Sequence, residues 1–453
     1  MARLFGTDGV RGIANVELNV GLAYRLGKYG ARVLRARHAQ GNAVLIGHDG
    51  RISADMLSAA LAAGFCSEGL DVYLAGELPT PGIATLTRIN DYALGVVVSA
   101  SHNAFQYNGI KFFDHAGYKL PDSVEDEISS YINGETADVN EPLQGAAIGR
   151  IYQLERAGEM YLDFLLHKMR PSGHGLRVAL DCANGATQQL ADRLFQAVGC
   201  EITARFGCDG NGTNINDGCG STHPQKLAQA VKASGADVGF AFDGDGDRLI
   251  CIDREGRVVN GDAVMAILAM FLKNRGELSN NTLVATVMSN LGLHKFCAEQ
   301  DINLVTTQVG DRYVLEEMLS NKYSLGGEQS GHIILRDYQT TGDGLLSALA
   351  LIAALDELEL DLADADKIMS IFPQVNRGIS IPNTIKNEAA ADPEIRTKEL
   401  EWMEKLADRG RIVLRASGTE PLVRVMVEAE NEDLAKAVCD SLCDILVRKY
   451  PSV

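Results

Sequence analysis

Basic residues are scarce in this chain, which has 42 lysines and arginines against 60 aspartates and glutamates and a formal net charge of −18 at pH 7. A globally acidic surface does not attract nucleic acid or an anionic membrane. We therefore expect neither as a partner. If the ligand is a phosphate, the chain has to provide a local basic pocket, so arginines and lysines in glycine-containing loops become the candidate phosphate ligands.

Long apolar runs and paired cysteine motifs are also absent. The longest apolar run, near Leu345 to Leu355, is shorter than the roughly 20 residues of a membrane-spanning helix, and no apolar leader follows Met1. None of the nine cysteines has the CxxC spacing of a zinc or redox site. We expect Cys439 and Cys443, four apart on a predicted helix, to be buried hydrophobes. These absences predict a soluble, cytoplasmic protein with reduced thiols.

Three segments repeat one order of predicted elements, in which a strand leads through a polar, glycine-containing loop into a helix and further strands follow. They begin at Val44, Val178 and Leu283. Strands separated by helices predict parallel pairing, and ligands bind at the strand ends of such sheets. After the third copy the pattern changes to paired strands and a final helix from Glu432, which indicates a smaller α+β unit.

A chain of 453 residues is too long for one ordinary core, since domains average about 150 residues. The predicted fold class is three similar mixed α/β domains followed by a smaller α+β C-terminal domain around a central cleft. The predicted domains are residues 1–150, 151–257, 258–368 and 369–453.

Three carboxylates, Asp243, Asp245 and Asp247, follow the apolar run 236–242 and precede Arg248. Carboxylates this close repel one another unless a cation lies between them, and alternating glycines let the chain curl around a hard divalent ion. A magnesium or calcium site is the first interpretation. Three carboxylates that leave open positions on the ion suit a magnesium site that handles phosphate.

Two other interpretations of the aspartate cluster compete with the phosphate-handling site. An EF-hand calcium loop needs glycine at its sixth position, glutamate at its twelfth and flanking helices, whereas here those positions are Arg248 and Arg254 and the flanks are predicted strands. A plain acidic turn is the other alternative, but ordinary turns seldom need three aspartates.

A second polar loop contains Ser101, between two apolar predicted strands. A serine oxygen can act as nucleophile or phosphate carrier when a metal and a basic group offset its charge. His102 and Lys111 are the nearby candidates for proton transfer or electrostatic help. A capped turn is the alternative interpretation of the Ser-His pair.

A third loop, from Arg415 to Arg424, joins two predicted strands. Guanidinium groups, hydroxyls and amides around a glycine form a good cradle for a phosphate dianion. The candidate phosphate-binding residues are Arg415, Ser417, Gly418, Thr419 and Arg424. A polar hairpin turn is the alternative.

Two further loops contain glycine and polar groups. Glu328 and Ser330 offer an acceptor and a donor for the hydroxyls or an amine of a sugar, although a helix-capping turn would look the same. Arg11 lies in the opening segment Phe5 to Gly12, which could contribute an arginine to the same cleft or be only a turn.

Taken together and in this order, five motifs resemble the α-D-phosphohexomutase family over the whole chain. They are Phe5–Gly12, Ser99–Asn103, Asp243–Arg248, Gly327–His332 and Arg415–Arg424. The opening glycine loop, Gln329 and the segments Met288–Leu293 and Val309–Val314 are similar to the phosphoglucosamine mutase branch of that family.

The resemblance implies a resting enzyme phosphorylated on Ser101, with one Mg²⁺ held by Asp243, Asp245, Asp247 and a phosphoserine oxygen. It implies reversible conversion of glucosamine 6-phosphate to glucosamine 1-phosphate through glucosamine 1,6-bisphosphate, which feeds the synthesis of UDP-N-acetylglucosamine and cell-wall precursors. The implied partner is a small amino-sugar phosphate, and a homodimer is compatible with this interpretation.

The resemblance also implies roles for the remaining residues. Lys111 is the leading general acid/base, supported by Arg11 and His102, and Arg248 offsets charge on the transferring phosphoryl group. Glu328 and Ser330 would bind the sugar, while the Arg415 to Arg424 loop would hold the phosphate that is not reacting.

One departure from the family pattern concerns the serine loop, which usually continues Ser-His-Asn-Pro, whereas this chain has Ala104. Without the proline, Asn103 is free to adopt helical angles, so we expect a looser loop and lower activity. Alternative functions are a phosphomannomutase/phosphoglucomutase with the same mechanism, a non-catalytic sugar-phosphate sensor, and a phosphatase with a phosphoserine intermediate.

Overall fold

The structure is a computed structural model, which describes residues 4–6, 8–37, 41–139, 141–417 and 420–451. Its strands form sheets of six, five, four and three strands in chain order. Helices pack against each sheet. The predicted fold class, three mixed α/β domains and a smaller α+β domain, is confirmed, and we call the domains I to IV after their sheets.

Domain I is built on the six-stranded sheet, in the spatial order β1-β5-β4-β2-β3-β6. Its elements are β1 (Val10–Ile13), α1 (Val20–Arg37), β2 (Ala43–His48), α2 (Ala54–Ser67), β3 (Asp71–Glu77), α3 (Thr80–Ile89), β4 (Leu94–Val98), β5 (Tyr107–Asp114), α4 (Asp122–Ile132) and β6 (Ile151–Gln153). Strand β6, just after the predicted boundary at residue 150, pairs in parallel with β3 at the edge of the sheet.

Domain II has the sheet order β11-β10-β9-β7-β8. Its elements are α5 (Ala157–Lys168), β7 (Arg177–Asp181), α6 (Ala191–Ala197), β8 (Glu201–Phe206), α7 (Gln225–Ser234), β9 (Val238–Phe242), β10 (Leu249–Asp253) and β11 (Val258–Val259).

Domain III has the sheet order β13-β12-β14-β15. Its elements are α8 (Gly261–Asn274), β12 (Thr282–Thr286), α9 (Leu291–Glu299), β13 (Asn303–Thr307), α10 (Asp311–Asn321), β14 (Leu325–Gly327), β15 (Ile333–Leu335), α11 (Gly344–Glu357) and α12 (Ala365–Ile368).

Domain IV has the sheet order β16-β18-β17, and both of its strand pairs are antiparallel. Its elements are β16 (Gln374–Ser380), α13 (Lys386–Ala390), α14 (Pro393–Leu406), β17 (Gly410–Ala416), β18 (Leu422–Ala429) and α15 (Glu432–Lys449).

The central strands are apolar because both faces of their sheets are covered. Every residue of β4 and of β9 is buried, so neither strand shows the alternation of a half-exposed strand. The longest apolar run of the sequence lies in α11, which is buried in a core shared by domains I, II and III. In the described part of the chain, no helix combines the length and the apolar character that crossing a bilayer requires.

Domains I, II and III each contain an antiparallel hairpin at the edge of the parallel strands. The hairpins are β4/β5, β9/β10 and β14/β15. The connection of each hairpin is one of the polar loops that the sequence analysis singled out, around Ser101, Asp243 and Glu328 respectively. The fold therefore presents the three loops at equivalent positions.

Candidate active site

The hairpin connections of the first three domains meet at one place. Ser101 Oγ of domain I donates a hydrogen bond to Asp243 Oδ2 of domain II at 2.6 Å. The domain II loop in turn pairs with the domain III loop, since the backbone of Arg248 bridges that of His332 and Leu249 N lies 2.9 Å from Gly331 O. Three loops from separate domains therefore form one composite site.

Ser101 has a φ of +53°, in the left-handed region that non-glycine residues rarely adopt. Three hydrogen bonds hold it there: Ser101 N donates to Ser99 Oγ at 2.8 Å, and Ser101 O accepts from Arg51 Nη2 at 2.8 Å and from Asn216 Nδ2 at 2.9 Å. Backbone strain that persists because its surroundings over-determine it is typical of functional sites.

Arg51 is a buried residue that ties the serine loop together, with only 2% of its surface exposed. Its Nη1 donates to Ala104 O at 2.6 Å and to Tyr107 O at 3.0 Å, while its Nε donates to Asp49 Oδ2 at 2.8 Å. These bonds hold the backbone at Ala104, where the sequence analysis expected looseness. The expected looseness of the loop stays a prediction. The hydrogen bond from Arg51 to Ala104 O would limit it.

The three aspartates of the domain II loop are buried, and one carboxylate oxygen from each lies within 4.8 Å of the others. Asp245 Oδ1 and Asp247 Oδ1 have no hydrogen-bond partner among the described residues. Burial, and then the charges of Asp247 and Asp245, raises the pKa of the Asp243 carboxyl well above its usual range. Buried, unpartnered, mutually repelling hard oxygens fit a Mg²⁺ ion.

Lys111 lies against this cluster with 1% of its side chain exposed. Its Nζ lies 2.8 Å from Asp245 Oδ2, 3.0 Å from Asp8 Oδ2 and 3.9 Å from Asp247 Oδ2. Although burial opposes it, the charge of Asp245, followed by that of Asp8, raises the pKa of the Lys111 ammonium above its ordinary value. Lys111 is therefore held as a cation beside the carboxylates.

His102 has the opposite protonation state. Its Nδ1 lies 3.4 Å from Ser101 Oγ. Burial, helped by the positive charges of Arg248 and Arg11, lowers the pKa of the His102 imidazole to about 4. The ring is neutral near pH 7 and able to accept a proton.

Asp8 links Arg11 to Lys111 and Lys119. Arg11 forms an ion pair with Asp8, and Lys119 Nζ lies 2.6 Å from Asp8 Oδ1 and 2.5 Å from Asp311 Oδ2 of domain III. Although burial opposes it, Lys111 and then Lys119 lower the pKa of the Asp8 carboxyl well below its usual range. Asp8 thus stays ionised between the lysines.

Arg248 follows the aspartate cluster and has an available donor. Its Nε is buried without a hydrogen-bond partner in the described residues and lies 3.9 Å from Asp247 Oδ1. A guanidinium that faces the cluster with a free N–H can contact an anion placed there.

Glu328 and Ser330 lie in the domain III loop. Glu328 Oε1 accepts from Gly310 N at 3.0 Å, and Ser330 Oγ lies 3.5 Å from Glu328 Oε2. Glu328 Oε2 therefore has only a weak contact within the described residues. His332 lies on the same loop, and its Nδ1 is 3.6 Å from Asp247 Oδ2.

The domain IV loop is the part of the predicted site that stands apart. Arg415 and Arg424 face each other across β17 and β18, and Arg424 pairs with Glu420. Burial and the like charge of Arg424 lower the pKa of Arg415. Ser417 Oγ accepts from Glu420 N at 3.3 Å. Gly418 and Thr419 lie outside the described residues.

No hydrogen bond or ion pair within the described ranges joins Arg415, Ser417 or Arg424 to the loops of domains I to III. The structure thus brings together Ser101, His102, Lys111, the aspartates and Arg248, but not the phosphate loop.

The sequence analysis missed Asp8, Arg51, Lys119 and Asn216. Asp8 and Arg51 had usable signals, because Asp8 lies in the opening motif Phe5–Gly12 and Arg51 follows Gly50 in the loop of the first repeat.

Comparison with known proteins matches all four domains to one family. The chain matches "Phosphoglucomutase/phosphomannomutase, alpha/beta/alpha" domain I over residues 2–138, domain II over 159–256 and domain III over 260–371, and the C-terminal domain of the same family over 380–445.

Curated relatives match over nearly the whole chain. The phosphoglucosamine mutase of Ruminiclostridium cellulolyticum is 48% identical over 435 residues, 96% of each chain. That of a Thermoanaerobacter species is 48% identical over 450 residues, 99% of this chain and 100% of the relative.

Solved structures share the fold. A phosphoglucomutase/phosphomannomutase family protein of Burkholderia thailandensis superposes with a TM-score of 0.82 at 23% identity, over 100% of this chain and 98% of that one. The N-acetylphosphoglucosamine mutase of Aspergillus fumigatus, in complex with GlcNAc-6P and magnesium, has a TM-score of 0.68 at 16% identity, over 98% of this chain and 95% of that one.

Proposed function

The chain belongs to the phosphoglucomutase/phosphomannomutase family, and from that premise we propose that it is a phosphoglucosamine mutase. It would interconvert glucosamine 6-phosphate and glucosamine 1-phosphate through a phosphoserine at position 101 and a 1,6-bisphosphate intermediate. The observation that carries the proposal is the 2.6 Å hydrogen bond from Ser101 Oγ to Asp243, since it brings a serine oxygen of one domain to the carboxylate cluster of another. The relatives that are 48% identical carry this activity in their names.

Asp243, Asp245, Asp247 and an oxygen on Ser101 are the residues we propose as ligands of Mg²⁺. When bound, the ion would supply positive charge that stabilises the negative charge of the transferring phosphoryl group. Arg248 adds a second positive charge beside the same cluster. Ser101 is 2% exposed, which supports a site closed to bulk water, and such a site would disfavour a phosphatase.

Proton transfer is the role we propose for Lys111 and His102. The Lys111 ammonium can protonate the sugar oxygen that leaves when phosphate returns to Ser101. In the other half of the cycle, the neutral His102 ring can accept the proton of the attacking sugar hydroxyl, with Arg11 stabilising the charge, and transfer of that proton to Lys111 would restore both groups for the next turnover. His102 contacts the serine and Lys111 contacts the adjacent aspartate cluster, so a sugar bound in either orientation would meet the same two groups.

Substrate binding would be shared between domains III and IV. The Glu328 carboxylate, next to the Ser330 hydroxyl, would bind the amine and hydroxyls of glucosamine. Arg415, Ser417, Gly418, Thr419 and Arg424 would bind the phosphate that is not reacting. The pair of arginines on facing strands is the physical support for this assignment, because an anion between them removes their repulsion.

The compartment we propose is the cytoplasm, because all nine cysteines are free thiols. A homodimer stays a prediction, which light scattering of the purified chain would test.

The test of function is turnover of glucosamine 6-phosphate by the purified chain with Mg²⁺ and a catalytic amount of glucosamine 1,6-bisphosphate. Ser101→Ala should abolish turnover, whereas Ser172→Ala, at an exposed serine of domain II, should not change it. Turnover of mannose 1-phosphate or glucose 1-phosphate ahead of glucosamine 1-phosphate would move the assignment to a phosphomannomutase/phosphoglucomutase. Wild-type activity in Ser101→Ala would contradict the proposed phosphate carrier.

A further inference from the structure

Cys182 and Cys208 lie together at the ends of β7 and β8. The strands pair in parallel up to Asp181 and Phe206, and each cysteine follows within two residues. Cys182 N and Cys208 Sγ both lie 3.1 Å from the same carbonyl oxygen, that of Phe206. Gly207, with a φ of +57°, turns the chain so that Cys208 lies back over the end of β7. Both cysteines therefore lie around one carbonyl oxygen at the same end of the sheet, and neither is in a disulfide.

Cys208 differs from the other cysteines in its surroundings. Eight of the nine are buried and Cys208 alone is partly exposed. The neighbouring Cys182 thiol, together with the Arg205 guanidinium, lowers the pKa of Cys208 to about 7, and the Cys208 thiol together with burial raises the pKa of Cys182 well above its usual range. A partly exposed thiolate beside an arginine is the environment of a reactive cysteine.

The loop that begins at Cys182 supports the nucleophile. Ala183 and Asn184 both have positive φ, +55° and +53°, and Asn184 N donates to Gly207 O at 2.6 Å. Ala183 O accepts from Asn216 N at 2.8 Å, and Asn216 Nδ2 donates to the carbonyl oxygen of Ser101. Asn216 thus links this loop directly to the strained serine.

The same loop also supports the aspartate cluster. Ala186 N donates to Gly244 O at 2.9 Å, and a Cβ at Gly185 would lie 2.2 Å from that oxygen. Contacts this close transmit a displacement, because packed protein interiors leave no space to absorb it.

We propose that Cys208 and Cys182 are an oxidant-sensitive dithiol, which hydrogen peroxide converts to a reversible disulfide. The Cys208 thiolate attacks one peroxide oxygen, the O–O bond breaks, and a sulfenic acid and hydroxide form. The Cys182 sulfur then attacks the sulfenic sulfur, an S–S bond replaces the S–O bond, and the oxygen leaves as water with the Cys182 proton. Peroxide is reduced by two electrons, and a dithiol reductant returns them to the disulfide.

Disulfide formation draws the sulfurs to about 2.05 Å and so displaces the loop that begins at Cys182. We expect mutase activity to fall about tenfold to a hundredfold, since displacement of a reacting group by about 1 Å can cost that much. The loss of activity rests on the proposed function, whereas the disulfide itself does not.

The test treats the full-length chain with hydrogen peroxide, blocks remaining thiols and analyses a non-reduced digest by mass spectrometry. A peptide that joins Cys182 to Cys208 should appear, and dithiothreitol should remove it. Cys439 and Cys443 are the internal control, because their sulfurs lie 4.0 Å apart but both are buried in domain IV. Formation of that bond at the same rate, or oxidation of Cys208 without the bond to Cys182, would overturn the proposal.

Activity and amide exchange are measured on the same samples. Oxidation should lower activity, dithiothreitol should restore it, and exchange in residues 99–104 should rise only in the oxidised chain. Cys208→Ser should retain its activity in peroxide, whereas Cys66→Ala, at a buried domain I thiol, should lose activity like the wild type.

Equal inactivation of Cys208→Ser, or a disulfide that leaves exchange in residues 99–104 unchanged, would also overturn the proposed coupling. A reduced chain that forms the disulfide but has no mutase activity would refute the proposed function alone.

Discussion

Lys111 combines two tasks that a substitution tested with and without Mg²⁺ can separate. Its ammonium is buried between Asp245 and Asp8, and it is also the proposed proton donor. Removal of one partner from a buried ion pair leaves the other charge uncompensated, at a typical cost of about 3–5 kcal/mol.

We therefore expect Lys111→Met to lower the free energy of unfolding by about 3–5 kcal/mol and to reduce kcat by about 10²–10⁴-fold. Saturating Mg²⁺ should restore part of the stability, because the ion compensates the same carboxylates, but should not restore kcat. Urea unfolding with and without Mg²⁺, alongside steady-state kinetics, measures both effects. Lys28→Met is the control, since Lys28 pairs with Asp138 on the surface of domain I. Full activity in Lys111→Met would contradict the proposed donor.

Ala104 provides a second test, at the position where the family pattern has proline. Ala104 O accepts a hydrogen bond from Arg51, and Ala104 N donates none within the described residues. A proline there would lose no donor and would restrict the unfolded chain.

Ala104→Pro is therefore expected to stabilise the protein by about 0.4–1 kcal/mol and to leave kcat equal or higher. Thermal unfolding and kinetics check this, with Ala116→Pro as a control, because Ala116 N donates to Asp114 Oδ1 and proline would remove that bond. Destabilisation by Ala104→Pro would show that the loop is not compatible with the family residue.

Most of the fold followed from the sequence, because a repeated order of strand, loop and helix is a local pattern. The three α/β domains and the final helix from Glu432 were predicted in this way. The antiparallel hairpins that carry the polar loops were not predicted, since a short apolar strand such as β14 does not reveal the direction of its partner.

The site was predictable where chemistry is concentrated in one loop, as at Asp243, and not where it depends on distant pairs. Lys119 lies 192 positions from Asp311, and Asn216 lies 115 from Ser101. Neither Lys119 nor Asn216 lies in a distinctive motif, so its contact with a distant residue can be seen only in the folded structure.

Glu77 at the end of β3 joins domain I to domain II. Its Oε1 accepts from Gln188 Nε2 at 2.7 Å. Burial raises the pKa of the Glu77 carboxyl from 4.5 to about 7, against the opposing effect of the Gln188 hydrogen bond and with a small further rise from Asp49. Between these two pH values the folded protein binds more protons at this group than the unfolded chain does.

Stability should therefore fall as pH rises from about 4.5 to about 7, because the native state must then ionise a carboxyl that prefers to stay neutral. Glu77→Gln should remove this part of the pH dependence and be the more stable protein at about pH 8. Urea unfolding at several pH values, with the exposed Glu359→Gln as control, measures the difference. Parallel pH profiles for wild type and Glu77→Gln would contradict the assignment.

Domain IV has its own core and meets domain III through one buried carboxylate. Glu428 Oε2 accepts from Arg411 Nε at 2.6 Å and from Leu291 N at 2.8 Å, and Oε1 accepts from Gln374 Nε2 at 2.7 Å. The segment Met288–Leu293, which resembles the phosphoglucosamine mutase branch, thus supplies part of this contact.

The linker between the two domains is held at the same point. Asn290 exchanges two hydrogen bonds with the backbone of Phe372, both 2.9 Å long, and a Cβ at Gly292 would lie 1.8 Å from Ser370 O. The close approach explains why glycine is needed at position 292. It also means that domain IV, with its arginine pair, is oriented by a few polar contacts.

Glu428→Gln is therefore expected to loosen domain IV without unfolding domains I to III. The amide would present N–H groups to donors that need an acceptor, and an unpaired buried donor costs about 1–3 kcal/mol. Because the proposed phosphate loop lies in domain IV, KM for glucosamine 6-phosphate should rise by about tenfold for each 1.4 kcal/mol of lost binding, while kcat changes less.

Glu430→Gln is the matched control. Glu430 forms a surface ion pair with Arg409 at 3.3 Å, and such a pair typically contributes less than about 1 kcal/mol. Faster proteolysis in residues 369–373 should accompany the rise in KM, and identical behaviour of the two variants would show that Glu428 does not orient the domain.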